Sequence, residues 1–310
     1  MTDPKPRRPR AARAVGAIPQ LPFGQVPRAY APIEVLSADQ VASIHAAALR
    51  VLATTGMKVL DATARSLFAK AGAQLAEEMV RFDPALIAQC LATVPAHFSL
   101  AARNPMKSLK IGGADMVFAS VGGPAYVMDL DKGRRDGTYA EMCDYLRLIQ
   151  QVNVIHQEGG CPFEPLDLPA NTRHLDIYAA QITLLDKSWQ TQTLGLARTM
   201  DGLEMAAIAM GQSLAELTET PTLLGIINTN SPLQLDIPMA EGLITMARHG
   251  QVNVITPFTL AGAMSPVTLA GALTLQHAEA LVGIALTQIV RPGVPVMYGG
   301  FTSNVDMKTG

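Results

Sequence analysis

The sequence has 310 residues, of which 49% are hydrophobic and 16% charged, so the chain is long and apolar enough to build a sizeable core. Its net charge of −2 argues against nucleic acid as the main partner, although residues 1–30 carry a net charge of +5 and the remainder −7. We expect a cytoplasmic protein without a membrane span, because the three cysteines are odd in number and far apart and no apolar run approaches the roughly 20 residues that cross a bilayer.

The first 110 residues predict a loose arm followed by a small helical region. Residues 1–30 combine six basic side chains with six prolines, and such a segment buries too little apolar surface to order itself. Residues 31–110 predict an α-rich extension without recognisable chemistry, in which Ser37 caps the first amphipathic helix. The extension contains predicted helices at 36–54, 62–71 and 85–92 and a predicted strand at 98–101.

From residue 111 the sequence alternates strands and helices in the pattern of an α/β sheet. The strands are continuously apolar, as parallel strands covered on both faces are. Strands are predicted at Met116–Ser120, Val154–Glu158, Trp189–Leu194, Thr222–Asn228, Val252–Pro257 and Val294–Tyr298. Helices are predicted at Thr138–Gln150, Arg173–Leu185, Thr199–Met210, Pro238–His249 and Leu269–Val290.

These six units predict an incomplete TIM-type (β/α)8 barrel over residues 111–310, because the complete fold needs eight strands. We therefore expect a chain that lacks its C-terminal part. The sequence QVNVI occurs at 151–155 and again at 251–255, each time following a helix and entering a strand, as repeated barrel units would. A doubly wound open sheet is the alternative, but Gly122-Gly123-Pro124 after the first strand is not the GxGxxG fingerprint of such folds.

Polar residues follow the predicted strands, where the active site of a TIM barrel lies. Buried polar groups are costly unless they are paired, so a row of them indicates a functional mouth rather than a packed core. Glu158 and His156 are the candidates for catalysis, Glu158 as a base or as a balance for a cation, and either side chain could equally be structural. The candidates for substrate binding are Gln190, Gln192, Asn228, Asn230, Phe258 and Tyr298.

Aromatic side chains could form a cage for a quaternary ammonium group, which is attracted to aromatic faces. Phe258, Tyr298, Trp189 and Tyr126 are the candidates, although core packing explains any single one of them better. Cys161 follows the second strand without spaced Cys or His partners, so a packed thiol is favoured over a zinc ligand or a nucleophile.

Five features occur together: Val121–Tyr126 with Asp129, Arg134–Thr138, the glutamine-rich third strand, Asn228–Leu233 and Thr259–Thr268. In combination they resemble the trimethylamine methyltransferase family over about residues 30–310. The resemblance implies a TIM barrel that moves a methyl group from a methylamine or quaternary amine to the cobalt of a corrinoid on a separate protein. It also implies that this chain binds no cofactor directly, because the corrinoid belongs to that partner.

Founding members of the family carry pyrrolysine in the barrel, whereas many relatives lack it and act on substrates such as glycine betaine. None is marked in these 310 residues, so we expect a pyrrolysine-free, betaine-type member. A quaternary amine is already activated, because its leaving group is a neutral amine. Binding the cation, excluding water and admitting Co(I) in line therefore suffice, without an acid or a base.

Two other functions stay open at this point. A metal-dependent TIM-barrel lyase or hydrolase would need two or more carboxylates or histidines at the strand ends, where only Glu158 and His156 qualify. A non-enzymatic protein that binds quaternary amines would need the cage alone. The sequence indicates a small amine partner and neither nucleic acid nor membrane, and it does not decide the methyl donor or whether the chain forms a homo-oligomer.

Overall fold

A computed structural model describes residues 19–304, 306, 308 and 309, which form a mixed α/β structure. Its helices are α1 (Ala38–Thr54), α2 (Ala62–Lys70), α3 (Pro84–Ala92), α4 (Tyr139–Gln151), α5 (Arg173–Leu184), α6 (Leu196–Met210), α7 (Leu214–Leu217), α8 (Ile237–Arg248) and α9 (Leu269–Val290). Its strands are β1 (Met57–Val59), β2 (Gln74–Ala76), β3 (Met79–Arg81), β4 (Phe98–Leu100), β5 (Leu109–Ile111), β6 (Val127–Asp129), β7 (Gly133–Arg135), β8 (Gln190–Thr191), β9 (Leu224–Ile227), β10 (Gln234–Leu235), β11 (Val252–Ile255), β12 (Phe258–Ala261), β13 (Val296–Tyr298) and β14 (Phe301–Asn304).

The centre of the fold is a parallel sheet with the strand order β13-β11-β9-β8. Single parallel bridges from Ala119 to Gln157 and from Gln157 to Ser188 bring the first two predicted strands alongside β8 as extended segments. The six predicted strand segments therefore lie side by side, in the same order as they occur along the chain. The doubly wound alternative is wrong, because its strand order reverses at a switch point and this order does not.

The two faces of the sheet pack against different partners, because successive side chains of a strand point to opposite sides. On one face, Leu224 of β9 and Val252 of β11 form a cluster with Leu100 and Leu109 of the β4–β5 hairpin. Leu224 and Val252 begin their strands, so the hairpin fills the amino-terminal end of the sheet. The carboxyl ends of the strands stay open.

Helix boundaries follow the local signals that the sequence carries. Ser37 and Gln40 form a capping box at α1, and Thr138 and Glu141 form another at α4, as their side chains exchange hydrogen bonds with each other's backbone N–H. Most predicted boundaries are confirmed to within one or two residues. Helix α6 begins at Leu196, three residues before the predicted start at Thr199, since Gly195 with φ of 86° precedes it.

Helix α9 corrects one expectation. It has 22 residues and is apolar enough, by length and composition alone, to cross a membrane. It is buried among α1, α2, α3 and α8, and it carries the buried polar side chains Gln276, Glu279 and Gln288. These polar residues interrupt the apolar run in the sequence, and most of the helix packs inside the protein.

The predicted N-terminal extension shares a core with the end of the described chain. Leu52, Phe68 and Ile87, from α1, α2 and α3, pack in one cluster with Leu281 and Leu286 of α9. Strand β1 pairs antiparallel with β3 and parallel with β10, which ties this region to the segment after β9.

The predicted disordered arm differs from the structure in its second half, whereas residues 1–18 lie outside the described residues. Gln20 donates to Gln151 O at 2.7 Å, and Gln25 accepts from Lys110 N at 2.7 Å. The ring of Phe23 lies edge-on to His156, with centroids 5.5 Å apart. A few such contacts order a segment whose overall composition predicts disorder.

The QVNVI repeat does not mark equivalent positions. In the first copy Gln151 ends α4 and is exposed, and residues 152–155 form the turn before the second strand segment. In the second copy Gln251 is buried, and its Oε1 accepts from Thr222 N and Leu223 N. Residues 252–255 are β11 itself. The same five letters therefore take two structures, decided by their neighbours.

Candidate functional site

A cavity of about 400 Å³ lies at the open, carboxyl end of the sheet. Exposed side chains at its rim, Leu194 and Phe301, show that it opens to solvent. Most of its lining residues lie at the strand ends, in the adjoining loops or on helix α5. They include Gly122, Gly123, Gly159, Gly160, Glu164, Tyr178, Gln181, Gln190, Gln192, Asn228 and Phe301.

One wall of the cavity consists of neutral amides. Gln190 and Gln192 are two residues apart, so their side chains share the face of the sheet that carries Leu224. Thr191 between them points to the helices and donates to Tyr178 Oη at 3.0 Å. Asn228 follows β9, and Thr256 Oγ1 donates to its Oδ1 at 2.8 Å. That bond leaves Asn228 Nδ2 as the donor that the cavity can use.

Helix α5 supplies a second wall. The phenol oxygen of Tyr178 accepts from Gln192 N at 2.9 Å, so this ring fixes the backbone of the third strand. Burial raises the pKa of Tyr178 to about 12. Gln181, one turn further along α5, donates from Nε2 to Glu158 Oε2 at 2.8 Å. Two helix residues thus hold the strand ends beside the cavity.

Glu158 lies one layer behind the cavity wall. It is fully buried and is not among the lining residues, whereas Gln181, which donates to it, does line the cavity. Burial raises its pKa to about 7, because the loss of water outweighs the hydrogen bonds from nearby N–H groups. The carboxyl group is therefore partly protonated near neutral pH, and it acts on the cavity through its charge rather than by contact.

The carboxylate on the wall itself is Glu164, which the sequence reasoning missed. Arg173, the first residue of α5, donates from Nη1 to Glu164 Oε2 at 3.2 Å. The Arg173 side chain is largely buried and the Glu164 side chain partly exposed. The pair therefore brings one negative and one positive group to the same edge of the cavity.

Two glycine pairs form the rim where the first two strand segments end. A Cβ on Gly122 would lie 2.1 Å from Gly159 O, and a Cβ on Gly159 would lie 1.9 Å from Ser120 O. The backbones therefore touch, and only glycine allows this approach. This is the physical role of the Gly122-Gly123-Pro124 and Gly159-Gly160 motifs.

The aromatic candidates lie elsewhere than expected. Tyr298 faces outward, where its hydroxyl is 3.0 Å from His277 Nδ1 on α9. Trp189 is buried against Tyr178 on the helix side, and Tyr126 stacks under Arg134 at 4.2 Å. Phe258 is outside the lining set but adjoins Phe301, which does line the cavity. Successive side chains of a strand point to opposite faces, so a position at a strand end does not by itself bring Tyr298 to the cavity.

Two polar candidates are also held away from the cavity. His156 is buried, accepts from Phe118 N at Nδ1 (3.0 Å), and its Nε2 lies 3.0 Å from Gly24 O. Both ring nitrogens are thus used by the backbone. Asn230 donates to Asp236 Oδ2 at 3.1 Å and accepts from Asp236 N at 3.0 Å, so its amide closes the loop.

Three of the eight predicted site residues, Gln190, Gln192 and Asn228, come together on the cavity wall. Their role in binding stays a prediction. The residues that were missed left weaker signals: Tyr178 and Gln181 lie one helical turn apart on α5, and Phe301 comes two residues after Gly299. None of these residues directly follows a predicted strand, and a position directly after a strand is what marks a site residue in the sequence pattern.

Nucleophilic or metal chemistry finds little support in the described residues. Cys161 is buried, and burial raises its thiol pKa above the ordinary value, so the thiol stays protonated. Its Sγ donates to Phe163 O at 2.9 Å. In the described part of the chain, no three His, Cys, Asp or Glu side chains gather as a metal-binding group.

Comparison with known proteins gives a consistent result. A family profile described as "Trimethylamine methyltransferase (MTTB)" matches residues 5–310. The glycine betaine methyltransferase of Desulfitobacterium hafniense strain Y51 is 34% identical over 276 residues, which are 89% of this chain and 57% of that protein. A trimethylamine methyltransferase of Desulfitobacterium hafniense strain DSM 10664 / DCB-2 is 28% identical over 279 residues, 88% of this chain and 55% of that protein.

A more distant relative has a similar coverage. The proline betaine:corrinoid methyltransferase of Eubacterium limosum is 25% identical over 281 residues, which are 88% of this chain and 57% of that protein. The chain spans a little more than half the length of the curated relatives that it matches.

Proposed function

Because this chain belongs to the trimethylamine methyltransferase family, we propose that it transfers a methyl group from a quaternary amine of the betaine class to the cobalt of a corrinoid on a separate protein. The identity to a glycine betaine methyltransferase, 34%, exceeds the 28% to a trimethylamine methyltransferase, which supports the betaine class.

The sheet supports a barrel architecture for this function. Six strand segments lie side by side in chain order, each linked to the next through at least one helix. Parallel strands in unbroken chain order are what a (β/α)8 barrel contains. We infer that the segments form the first six units of such a barrel, with the cavity at its carboxyl end, where TIM-barrel active sites lie.

The observation that carries the proposal is the composition of the cavity wall at that end. Gln190, Gln192 and Asn228 offer neutral amides, and Glu164 is already paired with Arg173. Such a wall orients a small polar cation through amides, which are not acids at neutral pH. A quaternary amine needs no proton donor, because breaking its C–N bond leaves the electron pair on nitrogen and releases a neutral tertiary amine.

Each group of the chain then has a simple task. Asn228 Nδ2 and the glutamine amides donate to the carboxylate of a betaine, and the rim glycines allow close approach of the acceptor. Glu158 offers negative charge from behind the wall when it is ionised. The partner's corrinoid would supply the electron pair that accepts the methyl group, and the amine would leave as a neutral tertiary amine that keeps the electron pair of its C–N bond.

In this proposal the corrinoid stays on the partner protein and is not bound inside the cavity. A cavity of about 400 Å³ is at the lower end of the size of small-molecule sites, which suits a small amine rather than a macrocycle. The partner therefore presents its cobalt at the opening of the cavity. Exclusion of water during transfer depends on that docking.

The test measures binding and transfer separately. Calorimetry with glycine betaine reports binding, and incubation with betaine and free cobalamin reduced to Co(I) reports transfer, followed by dimethylglycine in mass spectrometry. We expect both, with trimethylamine a poorer donor. Gln190→Ala should weaken betaine binding about tenfold by removing a hydrogen bond to a charged ligand, whereas the exposed Gln151→Ala should not.

The outcomes separate the three functions. Binding without transfer, also when the cognate corrinoid protein is supplied, would favour a protein that only binds quaternary amines. Absence of both would remove the methyltransferase proposal. A metal-dependent activity, in contrast, would need ligands that do not gather in the described residues.

A further inference from the structure

The cavity holds two aromatic rings among its described lining residues, Tyr178 and Phe301. Tyr178 is buried, and its hydroxyl is engaged by Thr191 and Gln192, so this ring is part of the supporting wall. The Phe301 side chain is 54% exposed and therefore presents free ring surface to the cavity opening. Phe301 is the aromatic group that a ligand can reach.

The position of Phe301 is set by a strand pair that rises above the sheet. After β13, Gly299 N donates to Ile255 O at 2.9 Å, and Phe301 N donates to Pro257 O at 3.0 Å. Strand β14 then runs parallel to β12 over four residues, with Phe301 opposite Phe258 and ring centroids 6.2 Å apart. Phe258 thus lies beside Phe301 and outside the cavity lining.

The turn that leads to Phe301 packs closely against neighbouring side chains. A Cβ on Gly300 would lie 2.0 Å from Gln276 Nε2, and a Cβ on Gly299 would lie 2.6 Å from Thr256 Cγ2, so a larger residue there would require these side chains to move. The position of the ring therefore rests mainly on the backbone pairing of β14 with β12.

The charges around the cavity make this ring important. The wall carboxylate Glu164 is neutralised by Arg173, and Glu158 lies behind the wall. Among the described lining residues, a permanent cation in the cavity thus meets one carboxylate, Glu164, and that carboxylate is already paired with Arg173. An aromatic face attracts a quaternary ammonium electrostatically without a counter-charge.

We propose that Phe301 contacts the trimethylammonium group of the substrate and determines the preference of the site for a quaternary ammonium over a neutral group of the same shape. This inference rests on the proposed function. It assigns to Phe301 the role that the sequence suggested for Phe258 and Tyr298. Phe301 adjoins Phe258 and lines the cavity, whereas the Tyr298 hydroxyl lies beside His277 of α9.

The test compares two ligands that differ only in charge at one atom. Glycine betaine and 3,3-dimethylbutanoate share their shape, because a carbon replaces the nitrogen in the second. Calorimetry on the wild-type protein should show tighter binding of betaine. In Phe301→Leu, betaine should bind about tenfold more weakly, whereas the affinity for dimethylbutanoate should change less than about twofold.

Matched variants identify the source of the effect. Phe258→Leu, on the paired strand, should keep the preference for betaine, and Phe301→Tyr should restore it. Circular dichroism checks that all variants fold. Unchanged preference in Phe301→Leu, or equal loss in Phe258→Leu, would overturn the assignment of Phe301 and leave the proposed function intact. A wild-type protein that binds neither compound would overturn the betaine site, and the role of Phe301 with it.

Discussion

At the scale of single residues, the protonation of Glu158 depends on its buried surroundings. Its carboxyl group is fully buried and accepts a hydrogen bond from Gln181, which lines the cavity that we assign to a cation. Its pKa of about 7 means that small changes in local charge move it between two protonation states near neutral pH. A bound cation favours the ionised state.

Replacement of Glu158 by Gln should remove a pH dependence of stability. The folded-state pKa is raised from 4.5 to about 7, so the folded protein holds the proton more tightly than the unfolded chain. The resulting stabilisation is complete below about pH 4.5 and is lost as the pH rises through 7. Urea unfolding across this range should show a wild-type free energy of unfolding that falls relative to Glu158→Gln by about 3 kcal/mol.

The same variant tests the coupling to binding. Betaine affinity of the wild type should increase as the pH rises through 7, and that of Glu158→Gln should not change. Glu204→Gln, at an exposed site of α6, is the control that should follow the wild type in both experiments. Parallel profiles for wild type and Glu158→Gln would show that this carboxyl does not titrate in the range.

Tyr178 supports the third strand through its hydroxyl. Tyr178→Phe removes the acceptor for the part-buried Gln192 N and for the buried Thr191 Oγ1. We expect a loss of about 1–3 kcal/mol in the free energy of unfolding, measured in urea, and weaker betaine binding as Gln192 loses its fixed position. Tyr139→Phe, whose hydroxyl makes one long, exposed bond to Asp176 O (3.4 Å), should change little. Equal effects of the two would contradict this role.

At the scale of elements, the segment after β9 depends on a distant helix. Glu279 of α9 is buried, and its carboxylate accepts from Thr229 Oγ1 (2.5 Å), Ser231 Oγ (2.7 Å) and Leu233 N (2.8 Å). The helix therefore holds the loop that continues from Asn228 on the cavity wall. Burial raises the pKa of Glu279 against these bonds.

Glu279→Ala should loosen this loop and the cavity together. Three donors lose their acceptor, so we expect at least about 3 kcal/mol lower stability and weaker betaine binding. Thr274→Ala, on the partly exposed side of the same helix, is the matched control. Faster amide hydrogen exchange in residues 229–233 of the Glu279 variant would identify the loop as the cause. Unchanged exchange there would contradict it.

The elements also show which parts of the fold the sequence predicts. Helix ends follow from nearby residues, such as the Thr138 and Glu141 capping box, and were predicted closely. The β6–β7 hairpin and the β12–β14 pair were missed, because strand pairing depends on partners that local patterns do not contain. Arg135, which joins Asp129 and Glu141 and so holds the hairpin to α4, had no local signal for that role.

At the scale of the whole molecule, the two ends of the sheet have different tasks. The β4–β5 hairpin fills the amino end with apolar side chains, and the carboxyl end holds the polar cavity. The alternation of strands and helices in the sequence predicts the six strand segments, their order and the polar nature of their ends. It does not predict the face of the sheet to which each side chain points. Of the predicted residues, Gln190, Gln192 and Asn228 therefore line the cavity, whereas His156 and Tyr298 do not.

Leu100→Ala should separate stability from binding. Leu100 is completely buried in the hairpin, and its truncation creates a cavity that should cost about 2–5 kcal/mol in the free energy of unfolding. Betaine affinity should stay the same under conditions where the variant is folded, because the substitution is at the opposite end of the sheet. The exposed Leu130→Ala should alter neither property. A loss of affinity in Leu100→Ala would show that the two ends are coupled.

The most direct test of the whole account is a crystal structure with bound glycine betaine. The account predicts the ligand in the cavity at the carboxyl end of the sheet, with its carboxylate near Asn228 Nδ2 and its trimethylammonium group against Phe301. Betaine found instead beside Tyr298 and His277, or nowhere on the molecule at saturating concentration, would contradict it.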